Sequence, residues 1–195
     1  LEISTHEQIA NIAPISVQLL QNVAAASAIA RSVGIAPAQI RDAILTFKPA
    51  AHRNQFLGEV SGVRFINDSK ATNAHASLAA LASLDNVIWI AGGDFKGVDP
   101  NQLVSKIASQ LKACVLIGKE QSAIREALET HAPEAAIFFV EDGEEVMQTA
   151  VKEAFRNAEN GDTVLLSPAA ASFDQFDSYQ HRGEMFMQAV RDLEG

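Results

Sequence analysis

The 195-residue sequence contains one cysteine and no apolar run long enough to cross a membrane. A single Cys114 excludes an internal disulfide and fits a reducing, cytoplasmic location. A membrane span needs roughly 20 apolar residues, so we expect no membrane insertion. Basic residues are also few, with 15 Lys and Arg against 24 Asp and Glu and a formal net charge of −9. An acidic chain is not attracted to phosphate backbones, so we expect no nucleic-acid partner.

Several sequence motifs of common binding and catalytic sites are absent. The P-loop pattern G-x-x-x-x-G-K-[ST] and the nucleophile pattern G-x-S-x-G occur nowhere, and Gly58–Gly62 does not supply the dinucleotide-binding G-x-G-x-x-G. The histidines have no metal-ligand spacing and there is one cysteine, so we predict no metal site. The sequence begins at Leu1, which we interpret as a cut inside a longer protein.

Short apolar runs alternate with helical stretches from Gly58 to the end of the chain. This pattern predicts an α/β fold with a Rossmann-like, mostly parallel sheet and helices on both of its faces. The predicted strands are Val63–Ile66, Val87–Ala91, Val115–Ile117, Ile137–Val140 and Val164–Leu166. The predicted helices between and after them are Ala74–Leu84, Asn101–Leu111, Gln121–His131, Glu144–Ala158 and Arg182–Leu193.

Residues 1–51 have a different character from the rest. Two helices are predicted there, at Asn22–Val33 and Ala38–Phe47, and two helices alone cannot bury both their faces. We therefore interpret residues 1–51 as the end of a preceding domain and residues 52–195 as a complete domain. The stretch Lys48–Arg53 would be the hinge between them.

Three of the five loops that follow the predicted strands, here called strand exits, are rich in polar and charged side chains. They are residues 67–73, with Lys70; 92–97, with three glycines and Lys96; and 167–176, with Ser172. Ligands of open α/β sheets bind at the carboxyl ends of the strands, so this edge suits a small anion such as a carboxylate. Plain alternatives are a polar loop with a helix cap at Thr72 or Asn73, and aromatic side chains after Ser172 that pack in the core rather than line a pocket. The exits at 118–120 and 141–145 are predicted to be solvated turns.

The same residues, in the same order, resemble the Mur ligase family. The matching motifs are His52–Arg53, Asn67–Asn73 (NDSKATN), Gly92–Gly97 (GGDFKG), Leu165–Phe176 (LLSPAAASFDQF) and Arg182–Gly183. The first and third of the long loops resemble the members that add D-glutamate. The resemblance covers the chain from about Asn22 to its end.

The resemblance implies a reaction as well as a fold. Residues 1–51 would be the end of the central ATP-binding domain, and residues 52–195 the C-terminal amino-acid-binding domain. The enzyme would use ATP and Mg²⁺ to convert the alanine carboxylate of UDP-N-acetylmuramoyl-L-alanine to an acyl phosphate. The amine of D-glutamate would then attack it, which makes a peptidoglycan precursor and releases ADP and phosphate. These residues alone are expected to be inactive and monomeric.

The resemblance also implies roles for individual residues. Lys70 would be catalytic as well as substrate-binding, because it would neutralise charge on the transferred phosphate. D-Glutamate would be held by Lys70, Thr72, Lys96, Ser172, Phe173 and Tyr179. Asn22, His52, Arg53 and Asp68 would contact or lie near the nucleotide. The alternative is a module without catalysis, which binds a small carboxylate or a nucleotide.

Overall fold

The computed structural model describes residues 3–10, 17–48, 50–119 and 121–193. Contacts between residues divide the chain into two compact units, Leu1–Ala51 and His52–Gly195. The described part of the first unit forms helices α1 (His6–Ala10), α2 (Val17–Ser32) and α3 (Pro37–Thr46). Helix α2 thus begins at Val17 rather than at Asn22. Helix α3 begins with a proline, whose fixed φ suits the first helical position.

The second unit is a mixed sheet with helices between its strands. Its elements are β1 (Gln55–Val60), β2 (Val63–Asn67), α4 (Ala74–Leu81), β3 (Val87–Gly92), α5 (Asn101–Ile107), β4 (Leu111–Ile117), α6 (Ser122–His131), β5 (Ala136–Phe139), α7 (Val146–Arg156), β6 (Thr163–Leu166) and α8 (Tyr179–Arg191). In the described residues the strand order is β1-β2-β6-β3-β4-β5. Strand β1 is antiparallel to β2 and the other neighbours are parallel. The predicted α/β class is confirmed.

Strand β1 was not predicted from the sequence. It lies at the edge of the sheet and none of its six residues is fully buried, so it lacks the continuous apolar run of the central strands. Ser61 and Gly62 join it to β2, and both have positive φ, as a tight hairpin turn requires. That Ser–Gly pair was the local signal for a hairpin.

Most predicted helix boundaries differ from the structure by one to five residues, and two of these differences have a clear local cause. The helix predicted to reach Leu111 ends at Ile107 and is followed by one 3₁₀ turn, Ala108–Gln110, because Leu111 already belongs to β4. Helix α8 begins at Tyr179 rather than at Arg182. Its N-cap is Ser178, whose hydroxyl accepts a hydrogen bond from the backbone N–H of His181 at 3.1 Å.

The core has one layer on each face of the sheet, because successive side chains of a strand point to opposite faces. From β3, Trp89 packs with helices α4, α5 and α6, whereas Ile88 and Ile90 pack with α7 and α8. All three side chains are completely buried. Helices therefore cover both faces, and ligands have access at the edges formed by the strand ends.

Candidate functional site

The three polar loops leave strands that are adjacent in the sheet. Strand β6 lies between β2 and β3 and is parallel to both, so all three carboxyl ends lie at one edge. The loops that follow are residues 68–73, 93–100 and 167–178. The two exits that we predicted to be solvated turns follow β4 and β5, on one side of this group. The topology thus brings together the loops with the densest functional groups.

Backbone hydrogen bonds tie the loop after β6 to both of its neighbours. The N–H of Ala169 donates to the carbonyl of Ala71 at 3.1 Å. On the other side, Asp94 and Ala171 exchange two hydrogen bonds, of 3.1 and 2.9 Å. The three loops therefore form one hydrogen-bonded layer above the strand ends.

Gly93 allows the close approach of the loops after β3 and β6. Its φ is +126°, and a Cβ atom at this position would overlap the carbonyl oxygen of Ala171. The next turn presents Lys96, which has a φ of +52° and an exposed side chain. Its backbone N–H donates to Oδ1 of Asp94 at 2.7 Å. A fixed turn thus carries one cation at the rim of the loop layer.

Lys70 supplies a second cation, from the loop after β2. Its backbone N–H donates to the carbonyl of His52 at 3.0 Å, and its Nζ lies 3.8 Å from the centroid of the Tyr179 ring. Thr72 is exposed in the same loop, and Asn73 is the N-cap of α4, accepting from the N–H of Ala76. Within the described part of the chain, the Lys70 ammonium forms no ion pair.

The aromatic residues after β6 differ in their surroundings. Phe176 is buried in the core layer of α7 and α8, so for this residue the core alternative is correct. Phe173 is 74% exposed, and the adjacent Ser172 is 2% exposed. Tyr179 is partly buried beneath Lys70. Ser172 and Phe173 therefore place a hydroxyl and an apolar surface next to each other in the loop layer.

Arg182 is a completely buried cation beneath these loops. Its Nε donates to Oγ of Ser69 at 3.0 Å, one Nη donates to the carbonyl of Ser69 at 2.9 Å, and the other donates to the carbonyl of Ala170 at 3.2 Å. Burial lowers the pKa of Arg182 to about 10, although the charge of Asp174 acts in the opposite direction. The guanidinium thus remains charged at neutral pH and links the loops after β2 and β6.

The sequence did not predict this role of Arg182. The residue belonged to a matched motif, but an arginine in a helical pattern is usually interpreted as exposed. The only local signal was its position one turn after the Ser178 cap, which places it beside the strand ends.

His52 and Arg53 lie next to each other but face different surroundings. Arg53 is exposed, whereas His52 is buried. Nδ2 of Asn67 donates to Nδ1 of His52 at 3.1 Å and to the carbonyl of Gly183 at 3.0 Å. Burial lowers the pKa of His52, although Glu184 acts in the opposite direction, so the ring is neutral and can accept this bond. His52 therefore anchors the segment that presents Arg53.

Both carboxylate oxygens of Asp68 are used inside the domain. Oδ1 accepts from the backbone N–H of Asn54 at 3.0 Å, and Oδ2 accepts from the hydroxyl of Ser167 at 2.9 Å. Burial raises the pKa of Asp68 to about 6, against the opposite effects of these two bonds and of the charge of Arg53. Asp68 thus holds the turn that follows Arg53.

The remaining candidates are Asn22, which belongs to the first unit, and Cys114. Asn22 is exposed on α2, in the first unit. Cys114 is buried in β4, and burial raises the pKa of its thiol, so it is inert. No group of three His, Cys, Asp or Glu residues that could hold a metal ion occurs among the described residues. No helix in the described part is long and apolar enough to cross a membrane.

Comparison with known proteins matches residues 52–170 to the Mur ligase, glutamate ligase domain. UDP-N-acetylmuramoylalanine--D-glutamate ligase of Thermobifida fusca is 45% identical over 188 residues, which cover 96% of this chain and 40% of that protein. The ligase of the same name from Leifsonia xyli is 41% identical over 197 residues, covering 100% of this chain and 38% of that protein. The chain therefore spans about 40% of the length of the curated relatives that it matches, in their C-terminal part.

Solved structures of lower sequence identity show the same fold. The UDP-N-acetylmuramate-alanine ligase MurC from Thermotoga maritima has a TM-score of 0.64 at 14% identity, covering 91% of this chain and 39% of that one. A pseudomurein peptide ligase type C from Methanothermus fervidus has a TM-score of 0.62 at 18% identity, covering 92% and 36%. The chain belongs to the Mur ligase family and carries its glutamate ligase domain.

Proposed function

We propose that this chain is the amino-acid-binding part of a ligase that adds D-glutamate to UDP-N-acetylmuramoyl-L-alanine. The names of the relatives support this substrate pair, and the family supports a role in peptidoglycan precursor synthesis. The whole enzyme would be a monomeric, cytoplasmic, ADP-forming acid–amino-acid ligase. Alone, these 195 residues would not catalyse the reaction.

One observation carries this proposal: three adjacent, hydrogen-bonded loops carry a buried hydroxyl and two lysines that form no ion pair with any described residue. Lys70 follows β2, Lys96 follows β3 and Ser172 follows β6. D-Glutamate has two carboxylates, and two lysine ammonium groups supply the two matching charges. Thr72 adds an exposed hydroxyl, and Phe173 adds an exposed apolar surface that suits the methylene groups of the ligand.

In the proposed reaction, this domain holds and orients the nucleophile. ATP transfers its γ-phosphoryl group to the alanine carboxylate, and ADP leaves. The uncharged amine of D-glutamate then attacks the acyl carbon, the C–N bond forms, phosphate leaves and the amine loses a proton. Positioning of the amine contributes most to such a step. Lys70 would stabilise charge on the transferred phosphate, which makes it the catalytic residue of this domain.

In the second unit, the nucleotide would contact Arg53, whose side chain is exposed. The resemblance also assigns a nucleotide contact to Asn22 of the first unit. His52 and Asp68 would support Arg53 from below, because both are buried beside it. The oxygens of Asp68 already accept two hydrogen bonds, so we assign no Mg²⁺ contact to it. Residues outside the described part of the chain would hold Mg²⁺, which would assist the phosphoryl transfer.

An amide NMR titration with D-glutamate, with L-glutamate as the control, tests the proposed acceptor site. We expect shifts at Lys70–Thr72, Lys96 and Ser172–Tyr179, larger for the D isomer.

Lys96→Ala should weaken binding of D-glutamate about tenfold, because it removes one charged contact. Lys152→Ala is the matched control, since Lys152 is an exposed lysine of α7, on a helix that covers one face of the sheet.

Other results of the titration would point to other functions. Equal weakening by both substitutions would contradict a site at Lys96. A second experiment joins this chain to the remaining N-terminal part of a relative and measures ligation. If the chain binds D-glutamate but the joined protein does not ligate it, this chain is a binding module without catalysis.

A further inference from the structure

The ring of Tyr179 faces Lys70, although the resemblance to the family implies that Tyr179 contacts D-glutamate directly. Nζ of Lys70 lies 3.8 Å from the centroid of the ring, which is well inside the range of a cation–π contact. We propose that Tyr179 is a positioning residue that acts on D-glutamate through Lys70, by holding the lysine ammonium against its ring.

The main chain of Tyr179 is anchored to the residue that precedes Lys70. The hydroxyl of Ser69, the neighbour of Lys70, donates to the carbonyl of Tyr179 at 2.8 Å. The same hydroxyl accepts from Nε of the buried Arg182 at 3.0 Å. The distance between the first residue of α8 and the loop after β2 is therefore set by the Ser69 hydroxyl and by a buried guanidinium.

His52 also contacts both Lys70 and Tyr179. Its carbonyl accepts from the backbone N–H of Lys70 at 3.0 Å. Its ring packs edge-on against the ring of Tyr179, with centroids 6.2 Å apart and an interplanar angle of 78°. The aromatic ring therefore cannot turn freely, and its face stays directed at the lysine.

An aromatic face holds a cation without neutralising it. A carboxylate partner would form an ion pair with Lys70 and would compete with an incoming carboxylate. The negative face of the Tyr179 ring attracts the ammonium but leaves its charge to a ligand. This explains how Lys70 is oriented although none of the described residues forms an ion pair with it.

The contact and its effect on the ligand can be measured separately, although the second measurement rests on the proposed function. Protons above an aromatic face are shifted upfield, so the ε-methylene of Lys70 should resonate upfield of the other lysines in the 195-residue chain. Tyr179→Phe should keep this shift and Tyr179→Leu should abolish it. Phe56→Leu is the matched control, because the guanidinium of Arg64 lies over Phe56, 5.7 Å from its centroid, on the edge strand β1.

The affinity for D-glutamate provides the second readout. We expect Tyr179→Phe to bind like the unmodified chain and Tyr179→Leu to bind about three- to fivefold more weakly. In a Lys70→Ala background, Tyr179→Leu should cause no further loss, because its effect passes through the lysine.

Two results would overturn the inference. One is a Lys70 shift that Tyr179→Leu leaves unchanged, since the ring would then not hold the lysine. The other is an equal loss of affinity from Tyr179→Leu with and without Lys70, since the ring would then contact the ligand itself. If the unmodified chain shows no response to D-glutamate, the proposed acceptor site is wrong, while the Lys70 shift still decides whether the ring positions the lysine.

Discussion

At the scale of single residues, the stability of the site depends on a buried carboxylate. Asp68 is 8% exposed, and burial raises its pKa to about 6 from an ordinary value of 3.8. Below the lower value, the carboxyl group is protonated in both the folded and the unfolded chain. Between the two values, the unfolded chain releases a proton that the folded chain retains, so a rise in pH favours unfolding.

We therefore predict that the contribution of Asp68 to stability falls as pH rises from about 4 to about 6. A shift of about two pKa units corresponds to about 3 kcal/mol. Urea unfolding of the unmodified chain and of Asp68→Asn at pH 4 and pH 7 isolates this contribution, because the other titrating groups are shared. Parallel changes in the two proteins would contradict the prediction.

The sequence indicated which exposed residues are candidates for a site, but not which buried residues support the loops that carry them. Lys70 and Lys96 became candidates because each lies in a polar loop that follows an apolar strand, although a polar loop with a helix cap would give the same pattern. The roles of Arg182 and His52 were not recognised, since each depends on a partner more than 100 residues away: Ser69 for Arg182, and Gly183 for His52. Burial of a charged or titratable side chain is a property of the tertiary structure and has no local pattern.

At the scale of elements, helix α8 packs against His52 through a glycine. A Cβ atom at Gly183 would overlap Nδ1 of His52. In an isolated helix, alanine is more stable than glycine by about 1 kcal/mol. Here the added methyl group would displace the imidazole from its hydrogen bond with Asn67.

Gly183→Ala should therefore destabilise the protein by about 1–3 kcal/mol, because the clash outweighs the higher helix propensity of alanine. Gly143→Ala is the matched control, because no atom lies within 4 Å of its added Cβ position. Urea unfolding measures both. A more stable Gly183→Ala protein would show that His52 can move aside without cost.

The central strands were predictable because each is a short apolar run buried on both faces. The edge strand β1 was not, since its residues alternate between partly buried and exposed positions. The strand order could not be predicted either. The insertion of β6 between β2 and β3 pairs residues that are 99 and 76 positions apart in the sequence, and this pairing brings the three loops together.

At the scale of the whole molecule, the proposed function assigns binding of the amino acid and activation of the carboxylate to different parts of a ligase. The second unit carries Lys70 and Lys96 on loops after neighbouring parts of the sheet, and its Arg53 is exposed. We proposed that these residues bind the amino acid and the nucleotide. The P-loop pattern that cradles nucleotide phosphates does not occur in the 195 residues. The relatives are more than twice as long as the part matched by this chain.

We therefore predict that the chain forms no ADP above background when it is mixed with ATP, Mg²⁺, UDP-N-acetylmuramoyl-L-alanine and D-glutamate. An acyl phosphate forms only where the carboxylate and the γ-phosphate are held in line, and one exposed arginine cannot orient a triphosphate. The ligase of Thermobifida fusca, assayed in parallel, shows that the reagents are competent. ADP that increases with the concentration of this chain and requires D-glutamate would mean that these residues contain a complete catalytic site, and the division of labour between the domains would have to be abandoned.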